Sequence, residues 1–148
     1  MSKNPKTADE TVYAGLRAWA KGLYHTEAAV ELLIRGGWAQ AWRPWIDESD
    51  NFPGDPEPMW WVDWDKLDYE MGPYSGGERR FLTAAVKIGK DEFDVSGLDR
   101  KKVDLILAAI AHTAGTHEGR HTEIVHHDDG RAELVSGDPY TSLHPWPA

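Results

Sequence analysis

The sequence predicts a mainly α fold. Residues 1–148 are expected to form a single domain, a helical bundle of four or five helices with a C-terminal β-hairpin. Three observations carry this expectation. Across residues 75–115, apolar side chains recur at helical spacing between clear start and stop signals. The same period appears twice more before Gly37. Near the end, Asp128-Asp129-Gly130 separates two strand-like runs, residues 123–127 and 131–136, and Asp-Gly between such runs signals a tight hairpin turn.

The central helices are the most clearly marked. Ser75-Gly76-Gly77-Glu78 has the spacing of a capping box: the serine hydroxyl accepts the Glu78 N–H, and the glutamate reaches back to the N–H of Ser75. Phe81, Leu82, Ala85, Val86 and Ile88 follow on one face, with Gly89 as the stop, so a helix is expected over about residues 76–88. A second helix starts after Asp99 as N-cap, with Leu98 and Val103 spaced as a hydrophobic staple. Val103, Ile106, Leu107, Ile110 and Ala114 line one face, and Leu105 and Ala109 widen it. A helix apolar on most sides is expected to be buried, and Gly115 ends it. The connector over 90–97 reads as an irregular bridge or one short edge strand around Phe93-Asp94-Val95.

The N-terminal segment over residues 1–6 is expected to be loose. Thr7-Ala8-Asp9-Glu10 has capping-box spacing and predicts a helix over about 8–22, with Tyr13, Leu16, Trp19, Ala20 and Leu23 on one side. After a break at Tyr24-His25, Thr26 is the expected cap of a helix stopped by Gly36-Gly37. Trp38, Trp42 and Trp45 share a helical spacing interrupted by Pro44. Residues 46–73 then read as an acidic, Trp-rich loop region. Pro53, Pro56 and Pro58 argue against regular structure there, and Trp61 and Trp64 are placed on one side of a short helix ending near Tyr69. Residues 137–148 read as a C-terminal tail. The expected core comprises Leu16, Trp19, Val30, Leu33, Ile34, Phe81, Leu82, Val86, Val103, Leu107 and Ile110.

Charge and composition narrow the function classes. The net charge is −9, which argues against direct nucleic-acid binding, since a phosphate backbone calls for a basic face. The absence of cysteine removes disulfide and thiolate chemistry and agrees with a reducing compartment. No apolar run follows the first residues and none approaches the roughly 20 residues of a membrane span, so a cytoplasmic protein without a signal peptide is expected.

Two stretches are candidates for function. Asp47, Glu48, Asp50, Asp55, Glu57, Asp63, Asp65, Asp68 and Glu70 are opposed only by Lys66, with Trp60, Trp61 and Trp64 among them. Carboxylates beside aromatics suit a basic partner, so Trp60, Trp61, Asp63, Trp64, Asp65 and Asp68 are the candidate partner-binding residues. The plainer alternative is that the tryptophans pin an irregular loop and the charges form a solvated face.

The second stretch is His117-Glu118-Gly119-Arg120-His121, a literal H-E-x-x-H that resembles the zinc-protease motif. On a helix its two histidines share one face and ligate zinc, and the glutamate acts as general base. That alternative is a zinc-dependent hydrolase with His117 and His121 as metal ligands and Glu118 as the catalytic base. It requires a third ligand, for which His126, His127, Asp128 and Asp129 lie close in sequence. Gly115 and Gly119 are poor residues for such a helix. Ser-Gly-Gly-Glu-Arg at 75–79 looks like the signature motif of ABC-type ATPases, but the chain lacks a phosphate-binding G-x-x-x-x-G-K-[ST] loop, and helix capping accounts for it.

Ala-Ala-Val-Glu-Leu-Leu-Ile-Arg-Gly-Gly at 28–37, Ser-Gly-Gly-Glu-Arg-Arg-Phe-Leu at 75–82, Gly97-Leu98-Asp99 and residues 107–115 together resemble a group of small uncharacterised proteins of actinobacteria and their phages. The resemblance implies a helical body and a host range, with no activity attached. The leading expectation is therefore a small acidic accessory protein that needs no cofactor and binds a protein partner through its acidic, Trp-bearing surface. The alternative is the zinc hydrolase.

Overall fold

A computed structural model of the chain describes residues 5–49 and 58–148. It contains five helices and two antiparallel strand pairs: α1 (Pro5–Ala20), α2 (Tyr24–Gly36), β1 (Ile46–Ser49), β2 (Met59–Val62), α3 (Trp64–Glu70), α4 (Gly76–Gly89), α5 (Arg100–Thr113), β3 (Arg120–His126) and β4 (Ala132–Pro139). The mainly helical character and the C-terminal hairpin agree with the sequence reading. By its internal contacts the chain divides into two compact units, Met1–Asp94 and Val95–Ala148.

In the first unit, α1 packs on α2 and β2, α2 on α4, and α3 on α4. Val12, Leu16, Val30, Leu33, Trp45, Ile46, Val62, Leu67, Leu82 and Val86 are buried together. Trp19, Ile34 and Phe81 pack against this core from partly buried positions.

Several boundaries differ from expectation, each for a local reason. Residues 1–4 of the expected loose segment lie outside the described residues, and Pro5 and Lys6 already belong to α1. Proline suits the first helical position, where an N–H would have no partner, so Thr7 lies inside the helix rather than capping it. The break before α2 falls at residues 21–23, where Gly22 adopts φ +99. Thr26 is consequently a buried residue of α2, and Leu23 holds the N-cap position without a side-chain cap. Gly37 ends α2 at φ 84 in the left-handed region, as the Gly-Gly stop suggested.

The segment expected to be irregular contains the β1–β2 hairpin and α3. Trp61 stands in a strand, not on a helix with Trp64. The acidic and proline positions 50–57 lie outside the described residues. The capping box of Ser75 and Glu78 is complete at the start of α4.

In the second unit, Asp99 caps α5 by accepting the Lys102 N–H at 2.9 Å. The hairpin pairs Ile124 with Leu134 and Val125 with Glu133, and β4 extends through Pro139 into the expected tail. The burial expected of α5 does not hold. Only Ala108 and Ala111 of this helix are buried, whereas the expected core residues Leu107 and Ile110 are 45% and 51% exposed and Val103 is half-buried. Among the described residues no helix is long and apolar enough to cross a membrane.

Candidate functional site

The β1–β2 hairpin is organised by strand alternation. Ile46 pairs with Val62, both buried, and this fixes the inward face. Trp60 points the same way and lies against α1, where a Cβ added at Gly15 would stand 2.5 Å from Trp60 Cδ1. Its indole Nε1 is buried and has no hydrogen-bond partner among the described residues. The intervening pair, Asp47 with Trp61, lies on the other face, followed by Ser49 with Met59; Asp47, Trp61 and Ser49 are half-buried there, and the Ser49 Oγ is buried. The carboxyl-bearing side chain of Asp47 therefore sits beside the half-buried indole of Trp61, with Met59 40% exposed next to them.

The residues after β2 are mostly committed to the fold. Asp63 caps α3, accepting the Lys66 N–H at 3.0 Å. The Trp64 ring covers Gly89, where an added Cβ would meet ring carbons at 2.6–2.7 Å. Gly89 remains helical and buried, so its role is to admit Trp64 rather than to stop α4. Asp65 lies 2.6 Å from Lys90 Nζ, and that hydrogen bond holds the ammonium above its ordinary pKa. Asp68 and the 84%-exposed Tyr69 border a shallow depression shared with Arg79 and Arg80. Of the six candidate partner-binding residues, Trp60, Asp63 and Trp64 thus serve the fold, Asp65 is ion-paired, Trp61 is half-buried on the other face of the hairpin, and Asp68 is exposed.

The other tryptophan group is not helical. Residues 38–45 are irregular with turns over 41–45, and Trp45 is fully buried and donates its Nε1–H to the Trp38 carbonyl at 2.9 Å. Trp38 meets Tyr74 edge-on at 5.0 Å. Arg43 lies over Trp42 at 4.1 Å and over Trp38 at 4.6 Å, and donates from Nη2 to the Gly37 carbonyl. Spacing alone gave no signal for this cation–π cluster, because Arg43 is adjacent in sequence to Trp42 but meets Trp38 only through the turn.

The H-E-x-x-H segment is not a helix. His117 lies in the turn after α5, Glu118 and Gly119 form a bend, and His121 belongs to β3. Gly115 and Gly119 adopt φ +73 and +86, which ends the helix before the motif can form a second turn. The His117 ring stacks on His112 at 4.1 Å, whereas His121 lies against Tyr140 at 4.3 Å. His127 is 2.9 Å from Glu133, and Asp129 pairs with Arg131. Among the described residues no group of three or more His, Asp or Glu side chains is placed to hold a metal ion. The helical spacing that would make His117 and His121 zinc ligands and Glu118 a base is therefore not realised. Sequence reading also missed the contact of His144 Nε2 with Asp104 Oδ1 at 2.6 Å, which joins positions forty residues apart.

Comparison of the chain with protein-family models, with curated proteins and with solved structures finds no match.

Proposed function

We propose that this is an accessory protein, acting through a protein partner, and that its working surface is the face of the β1–β2 hairpin that carries Asp47, Trp61 and Met59. The observation that carries the reading is the pairing of Asp47 with Trp61 on that face. Trp60 on the opposite face and Trp64 just beyond the hairpin instead anchor the segment through the notches at Gly15 and Gly89. An indole flanked by a carboxylate and a methionine offers apolar area together with negative charge, which suits a basic segment carrying a Lys or Arg. The chain's net charge of −9 favours such an encounter. A cytoplasmic setting and an actinobacterial or phage source, implied by composition and resemblance, complete the proposal.

The test is affinity capture from candidate host extracts with wild type and the double variant Asp47→Asn/Trp61→Ala, at low and high salt. A partner retained by wild type, weakened by salt and lost from a normally folded variant supports the proposal. Equal retention by both proteins removes this face. The zinc-hydrolase alternative has lost the helix on which it depended.

A further inference from the structure

We propose that the free edge of β3 pairs with β3 of a second copy of this chain, antiparallel about Ile124, so that two hairpins make one continuous sheet. The β3–β4 sheet has only these two strands, and β3 is exposed along its whole length. The ladder shows which groups the open edge offers. The His127 N–H donates to the Arg131 carbonyl at 2.9 Å, so bonded and non-bonded pairs alternate from there. Val125 with Glu133 and Glu123 with Val135 bond across the hairpin. Thr122, Ile124 and His126 therefore turn their N–H and C=O groups away from β4, toward the open edge. The two edges of the hairpin differ. β4 fits Gly137 and Asp138 opposite the single residue His121 and ends at Pro139, and a bulge, a glycine and a proline all blunt an edge. β3 keeps a regular register and has no glycine, proline or lysine, so nothing in its sequence guards against strand addition.

The strand itself selects the occupant. A residue whose backbone faces the open edge pairs only with another that does, so two copies of β3 can meet only at registers two residues apart. Centring the pair on Ile124 sets Ile124 opposite itself and Thr122 opposite His126, and every outward N–H and C=O of these three residues gains a partner. Centring it on Glu123 would set two carboxylates against each other at the closer, non-bonded spacing. Centring it on Val125 would leave Thr122 opposite Asp128, beyond the end of the strand. The side chains agree with the first register. Ile124 and Leu134 face each other across the hairpin and are 62% and 71% exposed. The two-fold axis joins the Ile124–Leu134 pairs of both copies into one apolar strip, which neither copy completes alone. The contact uses both β3 edges and leaves the blunted β4 edges outermost, so assembly stops at the dimer. Pairing over residues 122–126 buries less than the roughly 1,200 Å² of a standard stable complex, so the dimer is expected to form in the micromolar range. This inference rests on the C-terminal hairpin alone and is independent of the reading of the β1–β2 face.

Sedimentation equilibrium of the full chain over low to high micromolar concentrations tests it. The expected mass rises with concentration from 16.6 kDa toward twice that value. Thr122→Pro removes an outward N–H without touching the β3–β4 ladder, and Ile124→Lys sets two like charges on the axis. Each should raise the dimer Kd by about tenfold or more without changing the far-ultraviolet circular dichroism. Ser136→Pro, which removes an outward N–H from the β4 edge instead, should leave the dimer intact. The chain has no cysteine, so one introduced thiol reports the register. Bonded partners stand about 5.5 Å apart at Cα, within the span of a disulfide. Ile124→Cys should therefore crosslink two chains on mild oxidation, whereas Leu134→Cys, one strand further from the axis, should not. A 16.6 kDa mass throughout overturns the proposal. So does a dimer indifferent to both Thr122→Pro and Ile124→Lys, a dimer lost from a normally folded Ser136→Pro, or a crosslink formed by Leu134→Cys and not by Ile124→Cys.

Discussion

α4 and α5 are both 14 residues long, both begin at a side-chain cap, and both carry apolar residues at helical intervals. Their packing differs sharply. α4 buries Leu82, Ala85, Val86 and Gly89 beneath α2 and α3, while α5 buries two alanines and exposes a leucine and an isoleucine of its main stripe. Periodicity in a sequence thus shows that a helix has an apolar face. Whether that face is covered depends on elements elsewhere in the chain, and covering α4 took two other helices.

This contrast makes unequal predictions for substitutions that look alike. The largest effect belongs to the first unit's core. Trp45→Ala should cost about 3–5 kcal/mol and Leu82→Ala about 2–5 kcal/mol, read by chemical denaturation. Leu107→Ala should change stability by no more than about 0.5 kcal/mol. A loss from Leu107→Ala comparable to that from Leu82→Ala would erase the distinction between the two helices.

Next come the glycine notches. Gly89→Ala must displace the Trp64 ring and should cost about 1–3 kcal/mol. Trimming the ring in Trp64→Leu/Gly89→Ala should bring the pair below the sum of the single losses. Strict additivity would show that the notch does not matter.

Caps sharpen the comparison from the other side, because they act locally. Ser75→Ala and Asp99→Ala should each cost about 1 kcal/mol, although one helix is covered and the other is not. A large difference between them would mean that packing reinforces the cap.

The smallest expected effect is electrostatic. Hydrogen bonds from Arg17 and then Arg35 hold the Glu31 carboxyl below its ordinary pKa of 4.5. A lowered native pKa stabilises the fold above the unfolded value and loses that contribution as pH falls through the native value. The pair is solvent-screened, so Glu31→Gln should remove no more than about 0.5 kcal/mol at neutral pH. The difference between the two proteins should close below pH 4.5.

Much of the fold could be read from sequence where the signal was local. Ser75, Glu78, Asp99 and Gly37 mark ends that depend on neighbouring residues, and Asp129-Gly130 marks a turn. What escaped was tertiary. The β1–β2 hairpin forms in a proline-bearing acidic stretch because Ile46, Trp60 and Val62 find α1 and the core, contacts with no local trace. The candidate surface was half visible for the same reason. Trp60, Trp61 and Trp64 look equivalent in sequence, yet the strand period and two distant glycines turn Trp60 and Trp64 into anchors and leave Trp61 on the other face of the hairpin. The histidine motif misled in the opposite sense, since its letters matched while its glycines imposed turns.

The distribution of indoles has an optical consequence. Seven of the eight tryptophans lie in the first unit, and Trp146 is the sole indole of the second. Intrinsic emission on denaturation therefore follows the first unit almost exclusively, with Trp45 moving from a fully enclosed site to water while Trp42 begins there. Peptide-bond ellipticity registers α5 as well as the other helices. A gap between the midpoints of the two signals would measure how independently the two units melt, without cutting the chain.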